Sequence, residues 1–212
     1  MPLHPYPIYR DAGWGPDPFS EQQLQAANEC PRNNTHLSFR RGDALATGLP
    51  DECGDIVFER ALIHFIPDLA ACFREAYRLL AHQGVYVIQE STPDDVLLAG
   101  SPEHIRGYFF ERFPRLSQIE TARRPDKAEV LALLKQEGFV ATKTFEFWET
   151  RQVHPSFSSL TDALRKRTGR SILHDLSNED LSELVEFIGQ RLPHNEVIIE
   201  KDRWTIWSAQ HD

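Results

Sequence analysis

Residues 38–65 read SFRRGDALATGLPDECGDIVFERALIHF, and this stretch decides the fold. A strand-like run ends in Gly-Asp-Ala at residues 42–44, and the Leu-Pro pair at 49–50 marks a turn. A second apolar run at residues 55–59 leads into Leu-Ile-His-Phe at 62–65. Short apolar runs that end in polar turn residues indicate neighbouring buried strands. The stretch therefore predicts the middle of an α/β sheet of the nucleotide-binding kind.

The segments on either side extend this pattern. Residues 68–81 carry apolar side chains at helical spacing and predict a helix. Gly84 follows, and residues 85–89 (VYVIQ) predict another buried strand. Strand, helix and strand in this order predict a right-handed parallel crossover. On the N-terminal side, residues 21–28 predict a short helix and residues 36–40 a short strand.

The second half of the chain predicts mostly helices. Gly138 is expected to end a helix in the left-handed conformation. Ser177, followed three residues later by Asp180, predicts a capping box. The predicted helices are 103–119 (broken at Pro114), 127–136, 157–168 and 178–191, and the predicted strands are 140–149 and 196–208.

Length and proline content predict the domain organisation. A chain of 212 residues favours a single domain over residues 1–212. Five prolines fall within the first 18 residues, and proline lacks the donor that a strand ladder needs. Residues 1–19 are therefore expected to be irregular. Residues 100–125 include the aromatic run GYFFERF and form a candidate lid or substrate insertion, although aromatic residues at helical spacing favour a core role.

Charge and cysteine spacing exclude several classes of partner. A net charge of −9 argues against a nucleic-acid phosphate binder, and the basic run at residues 165–170 is expected to be a solvated helix end. No apolar run approaches the roughly 20 residues that a membrane span needs. Cys30, Cys53 and Cys72 lack Cys-x-x-Cys spacing, so we expect no metal site, no disulfide framework and a reduced cytoplasmic setting.

Three segments in order resemble the class I S-adenosylmethionine-dependent methyltransferases of the small-molecule type. Residues 15–27 (GPDPFSEQQLQAA) resemble the acidic residue and helix that follow the family's second strand. Residues 40–66 resemble its Gly-Asp-Ala segment, its Leu-Pro turn and its fourth strand. Residues 74–90 resemble the next helix and turn, with His-Gln-Gly at residues 82–84 in place of Pro-Gly-Gly.

The resemblance implies an α/β, Rossmann-like, doubly wound and mostly parallel sheet with an antiparallel C-terminal strand. The family's first strand carries Asp/Glu-x-Gly-x-Gly-x-Gly, whose glycines let the backbone approach the cofactor. The printed sequence contains no match, since the Gly-Trp-Gly at 13–15 is followed by Asp17. We therefore expect the first β–α unit to be missing and the second strand to be a proline-rich remnant. A reading frame that starts upstream of Met1 is the alternative.

The family's cofactor contacts carry over to four residues. Asp17 matches the acidic residue that binds the ribose hydroxyls of S-adenosylmethionine, since a carboxylate accepts two hydrogen bonds side by side. Asp43 and Ala44 match the adenine contacts, and Leu45 is expected to pack on the ring. The alternatives are a turn aspartate at residue 17 and a strand-terminal Gly-Asp turn at residue 43.

Three further candidates end the next predicted strand. Glu59 and Arg60 lie where side chains can reach a ligand at the open face of the sheet. His64 is a candidate base for a hydroxyl or amine because the pKa of histidine is near neutral. The alternative is that His64 is a packed histidine in a helical turn. Methyl transfer often needs only alignment of the acceptor atom with the methyl carbon, so a dedicated base is not required.

The resemblance implies a methyltransferase, truncated or degenerate, that acts on a small-molecule acceptor. The alternative is a non-catalytic binding or scaffold protein on a degenerate methyltransferase fold. Loss of a strand would expose a sheet edge, which the proline-rich N-terminus or a second copy in a homodimer would have to cover.

Overall fold

A computed structural model describes residues 8–10, 40–167 and 170–212 of the chain. The strands in these ranges are β1 (Ile8–Arg10), β2 (Arg40–Gly42), β3 (Gly54–Arg60), β4 (Leu80–Glu90), β5 (Val140–His154) and β6 (Ile198–Gln210). The α-helices are α1 (Leu69–Leu79), α2 (Pro93–Val96), α3 (Ile105–Arg112), α4 (Arg115–Arg123), α5 (Lys127–Gln136), α6 (Phe157–Arg165) and α7 (Asn178–Gly189). Single 3₁₀ turns lie at Ile63–Phe65 and Ser171–Asp175.

The strands form two sheets. In the first, β1 pairs with β2 in parallel, with Ile8 opposite Arg40. The second has the order β3-β4-β6-β5; β3 and β4 are parallel, and one strand is antiparallel. The predicted Rossmann-like α/β fold is confirmed, with a sheet that is partly parallel and has one antiparallel strand. Asp17, the predicted helix at 21–28 and most of the predicted strand at 36–40 lie outside the described residues.

The described residues divide into two compact units. The described residues within 1–90, 128–144 and 206–212 form unit 1, and those within 91–127 and 145–205 form unit 2. Strands β5 and β6 run through both. The single domain over residues 1–212 and the lid at 100–125 stay predictions.

The core of unit 1 forms where α1 packs on the sheet. Asp68 caps the helix by accepting a hydrogen bond from the Ala71 backbone N–H at 2.9 Å. The helix buries one face, as its spacing predicted. That face and the sheet bury a cluster that includes Cys72, Phe73, Ala76, Leu80, Tyr86, Ile88, Val130, Leu134, Phe139 and Trp207.

Strand β4 begins five residues earlier than the sequence predicts. Leu80 pairs with Gly54, but the next pair is Ile56 with Val85, so the intervening residues of β4 bulge out of the ladder. Gly84 is needed there, because a Cβ atom would lie 2.8 Å from the carbonyl oxygen of Ala81. The register shift depends on the partner strand, so the apolar pattern of β4 alone does not reveal it.

Unit 2 is mainly helical. The break near Pro114 is confirmed between α3 and α4, and the capping box at Ser177 and Asp180 is confirmed at the start of α7. The aromatic run of residues 107–113 lies in the core of this unit, where Tyr108, Phe109, Phe110 and Phe113 are buried.

The basic run at residues 165–170 differs from the prediction at its last residue. Arg165 and Lys166 end α6 and are exposed, as the sequence predicts. Arg170, in contrast, is buried and bonds to Glu200 and Asp202. Two carboxylates that are near in space and distant in sequence neutralise its charge, and no local pattern reports them.

Strand β3 ends the four-stranded sheet in the described part of the chain, where it pairs only with β4. Its Ile56 and Phe58 side chains lie on one face and are 68% and 57% exposed. The absence of the first β–α unit stays a prediction, because residues 11–39 lie outside the described ranges.

Candidate active site at the strand ends of unit 1

Most of the predicted site residues in the described ranges lie where parallel strands end. β2 ends just before Asp43, β3 ends at Arg60, and β4 ends at Glu90. In the β3–β4 ladder Arg60 lies opposite Gln89, so the polar residues after both strands share one edge of the sheet. The carboxyl ends of parallel strands form the usual ligand-binding edge of α/β sheets.

Asp43 forms a turn with the residues that follow it. Its Oδ1 accepts a hydrogen bond from the Leu45 backbone N–H at 2.9 Å, and its carbonyl accepts one from Ala46 at 3.1 Å. Ala44 and Leu45 are half-buried and pack against the core of unit 1. The exposed Asp43 carboxylate has lone pairs beyond the one this turn uses, so the turn role does not exclude a ligand contact.

The turn that follows Asp43 is tied to α1. Glu75 accepts hydrogen bonds from the Thr47 backbone N–H at 2.8 Å and from its hydroxyl at 2.5 Å. Arg78 bonds to Glu75, to the carbonyl oxygen of Leu49 at 2.8 Å and to Asp51. The hydrogen bond from Arg78 lowers the pKa of Glu75 to about 2, so this carboxylate stays charged and holds the turn.

Glu59 lies in an apolar pocket beside Cys72 and Tyr86. The Cys72 thiol donates to its Oε1 at 3.4 Å. Burial raises the pKa of Glu59 to about 7; the hydrogen bond from Cys72 counteracts the rise, and the charge of Glu90 adds to it. Glu59 is therefore a carboxyl group that can hold or release a proton near neutral pH.

Arg60 begins the turn that leads to His64. Its Nη1 donates to the side-chain oxygen of Gln89 at 3.3 Å, and the backbone N–H of Ala61 donates to the Gln89 carbonyl at 2.9 Å. Ala61 has a φ of +49°, which side chains with a Cβ rarely adopt. Such strain persists only where surrounding contacts hold it, and it is common at functional sites.

His64 is paired with a carboxylate that the sequence did not single out. Its Nδ1 lies 2.6 Å from Oε2 of Glu90, and the two side chains are 7% and 1% exposed. The 3₁₀ turn at Ile63–Phe65 positions the ring, and the end of β4 positions the carboxylate. The signal that could have identified this pair is the carboxylate of Glu90 at the end of β4, the strand next to β3, which leads to His64.

Unit 2 contains its own buried ionic cluster. Arg170 donates to Glu200 through Nε at 3.1 Å and to Asp202 through Nη2 at 3.0 Å, and Nε2 of His154 lies 3.0 Å from Glu200. Burial alone would raise the pKa of Asp202, but the charge of Arg170 outweighs burial and holds it below its usual value. Because the opposite charges are paired, removal of any one of these groups would leave an uncompensated buried charge.

An open groove of about 430 Å³ lies beside α1 in unit 1, lined by Leu45, Ala71, Arg74, Glu75, Tyr77 and Arg78. Its two guanidinium groups are engaged by carboxylates, since Arg74 bonds to Glu137 at 3.0 Å and Arg78 bonds to Glu75. The described residues bring together no group of three His, Cys, Asp or Glu side chains that would hold a metal ion. No helix in the described ranges is long and apolar enough to span a bilayer.

The chain is similar to known methyltransferases in sequence and in structure. Residues 15–88 match the family model described as a methyltransferase domain. A protein of Anabaena variabilis, described as a methyltransferase from an antibiotic biosynthesis pathway, has a TM-score of 0.61 and 18% identity, over 95% of this chain and 80% of its own. The chain has the class I methyltransferase fold.

Two further solved structures are similar over most of this chain. YcgJ of Bacillus subtilis has a TM-score of 0.51 and 15% identity, over 98% of this chain and 82% of its own. Phosphoethanolamine N-methyltransferase 2 of Haemonchus contortus has a TM-score of 0.48 and 16% identity over 90% of this chain. The match covers only 40% of the Haemonchus protein's own length. No curated protein sequence matches the chain.

Proposed function

We propose that the chain is an S-adenosylmethionine-dependent methyltransferase that acts on a small-molecule acceptor. One observation carries the proposal: the segment that matches the methyltransferase domain, residues 15–88, contains the strand ends that present Asp43, Glu59 and His64. The structural similarity to the Anabaena protein, which extends over 80% of that protein's chain, supports the proposal.

The residues around Asp43 fit the adenine end of this cofactor. The exposed Asp43 carboxylate is an acceptor for an exocyclic amine, the Ala44 backbone is a candidate donor, and Leu45 offers an apolar side chain. Asp17 would bind the ribose hydroxyls, and Glu59 and Arg60 would complete the cofactor side of the site. When bound, the cofactor supplies an electrophilic methyl group.

His64 is the proposed general base for the acceptor. An imidazole can accept a proton from a hydroxyl or an amine near neutral pH. The proposed setting is the reducing cytoplasm, which rests on the cysteine spacing.

Calorimetry with S-adenosylhomocysteine tests the proposal. We expect the wild-type chain to bind, and we expect Asp43→Ala to weaken binding roughly tenfold, because one hydrogen bond is worth about 0.5–1.5 kcal/mol. Asp51→Ala is the matched control, since Asp51 is an exposed aspartate on the separate turn at residues 51–52 and its carboxylate bonds to Arg78. No heat at millimolar ligand would refute the proposal for this chain.

In the described part of the chain β3 is an edge strand, and this favours a second candidate, a non-catalytic binding protein. Ile56 and Phe58 are apolar side chains on one face of an edge strand, and such edges are usually covered. We propose that a second copy covers this edge in a homodimer. Light scattering is expected to show a dimer that Ile56→Lys/Phe58→Lys converts to a monomer, whereas Val153→Lys on β5 leaves it dimeric. A monomeric wild-type chain contradicts the homodimer.

A further inference from the structure

We propose that Glu90 is a positioning residue that holds His64 in one tautomer, with the proton on Nδ1 and the lone pair on Nε2. This inference rests on the proposed methyltransferase function. It adds a residue that neither the family match, which ends at residue 88, nor the candidate residues of the sequence include.

The first support is the geometry of the pair. The 2.6 Å separation between Nδ1 of His64 and Oε2 of Glu90 is that of a strong, charge-assisted hydrogen bond. With Glu90 ionised, its carboxylate only accepts, so the proposal places the hydrogen atom on Nδ1 of His64. In a neutral imidazole the other nitrogen, Nε2, then carries the lone pair.

The second support is burial. Both side chains are almost fully inside unit 1, so solvent weakly screens the attraction between them. A charged carboxylate at this position favours the Nδ1–H tautomer over the alternative.

The third support is the way the backbone fixes both partners. Glu90 follows Gln89, whose carbonyl oxygen accepts the hydrogen bond from Ala61 at 2.9 Å. His64 lies three residues beyond Ala61, in the 3₁₀ turn closed by Ile66 N–H donating to the Ile63 carbonyl at 3.1 Å. The turn that carries the imidazole is therefore attached directly to the strand end that carries the carboxylate.

The chemistry that follows selects a class of acceptor. The acceptor's O–H or N–H bond breaks and its proton moves to Nε2 of His64. The freed electron pair of the acceptor forms the new bond to the methyl carbon, and the electrons of the sulfur–carbon bond return to sulfur. The imidazolium that forms is stabilised by Glu90. This arrangement suits a hydroxyl or a protonated amine, and gives no advantage to an acceptor that is already ionised, such as a carboxylate.

Nitrogen NMR of the imidazole rings tests the tautomer without any substrate. We expect His64 in the wild-type chain to show the Nδ1–H form at pH 8, assigned by loss of its signals in His64→Gln. Glu90→Gln is expected to shift the His64 nitrogen resonances towards a mixture of tautomers, because an amide can also donate. Glu137→Gln, a carboxamide substitution at the partner of Arg74, is the matched control and is expected to leave them unchanged.

Three outcomes decide the inference. An Nε2–H tautomer in the wild-type chain overturns it even if Glu90→Gln fails to fold, and so do His64 resonances that do not respond in a folded Glu90→Gln variant. With a hydroxyl or amine acceptor in hand, Glu90→Gln is expected to lower kcat by on the order of 10²-fold at unchanged KM, and an equal kcat also overturns it. S-adenosylhomocysteine binding is measured separately, so a failure of the methyltransferase proposal stays distinguishable.

Discussion

The Cys72 thiol donates to the Glu59 carboxyl across 3.4 Å inside unit 1, and burial raises the pKa of both groups. The two side chains come from α1 and β3 and meet under the strand ends that carry the candidate site. A buried carboxyl group with a pKa of about 7 makes the stability of this chain depend on pH near neutrality.

We expect Glu59→Gln to stabilise the protein at pH 8 but not at pH 4. Below the usual pKa of 4.5 the carboxyl is protonated in both states and contributes no pH dependence. Between 4.5 and about 7 it ionises first in the unfolded chain, so the wild type loses up to about 3 kcal/mol as the pH rises. Denaturant unfolding of both proteins at several pH values measures the difference. Glu52→Gln, on an exposed turn, is the control, and a pH-independent gap between wild type and Glu59→Gln would contradict the prediction.

The two described cysteines are expected to differ in thiol reactivity. Cys53 is exposed, whereas Cys72 is buried and burial holds its pKa well above the usual range, so little thiolate forms. In a Cys30→Ser background, a thiol reagent at pH 8 should label one cysteine quickly and the second only after denaturant is added. Equal rates for both cysteines in the folded protein would refute this account of the Glu59 pocket.

Removing Arg170 is expected to destabilise the protein by about 3–5 kcal/mol, because Glu200 and Asp202 would remain buried without their cation. Arg170→Met is compared with Lys201→Met, which breaks the more exposed pair with Glu103 and should cost under about 1 kcal/mol. Unfolding in urea measures both changes. Combining Arg170→Met with Glu200→Gln and Asp202→Asn should recover part of the loss; similar costs for the two single variants would contradict the prediction.

Gly84→Ala is expected to destabilise unit 1 by about 1–3 kcal/mol. The new Cβ would lie 2.8 Å from the Ala81 carbonyl oxygen and 3.2 Å from that of Asp55, which forces the bulge at the start of β4 to open. Gly54→Ala in the partner strand is the control, since its Cβ would meet only ordinary contacts at 3.7 and 3.8 Å. Thermal unfolding compares the variants, and an equal effect at both positions would show that the bulge is not tightly packed.

Local structure was predictable where a residue acts within its own turn. Gly138 has a φ of +98° after α5, and the Ser177 hydroxyl accepts from the Asp180 backbone N–H as a capping box requires. These features depend on residues within three or four positions, which the sequence displays directly. The predicted start of β4 was wrong by five residues, because pairing with β3 sets the register of β4 and the apolar pattern of β4 does not.

The candidate site divides in the same way. The positions of Asp43, Glu59 and His64 at strand ends follow from the Gly-Asp-Ala segment and the apolar runs, so the sequence alone predicts them. The resemblance to methyltransferases supplied their expected roles, and the fold it implies is confirmed. The partners of these residues did not follow, because hydrogen bonds depend on distances of a few tenths of an ångström between separate elements.

The sequence by itself determined most of the strands and helices from residue 54 onward, the cap at Ser177 and the class of fold, since each depends on short-range patterning and on the ordered set of segments. Only the tertiary structure decided that His64 meets Glu90, 26 residues away, and that Arg170 is buried between two carboxylates of β6. Strand register and helix packing bring these groups within bonding distance. Burial then strengthens the attraction between the opposite charges, because little water is left to screen them.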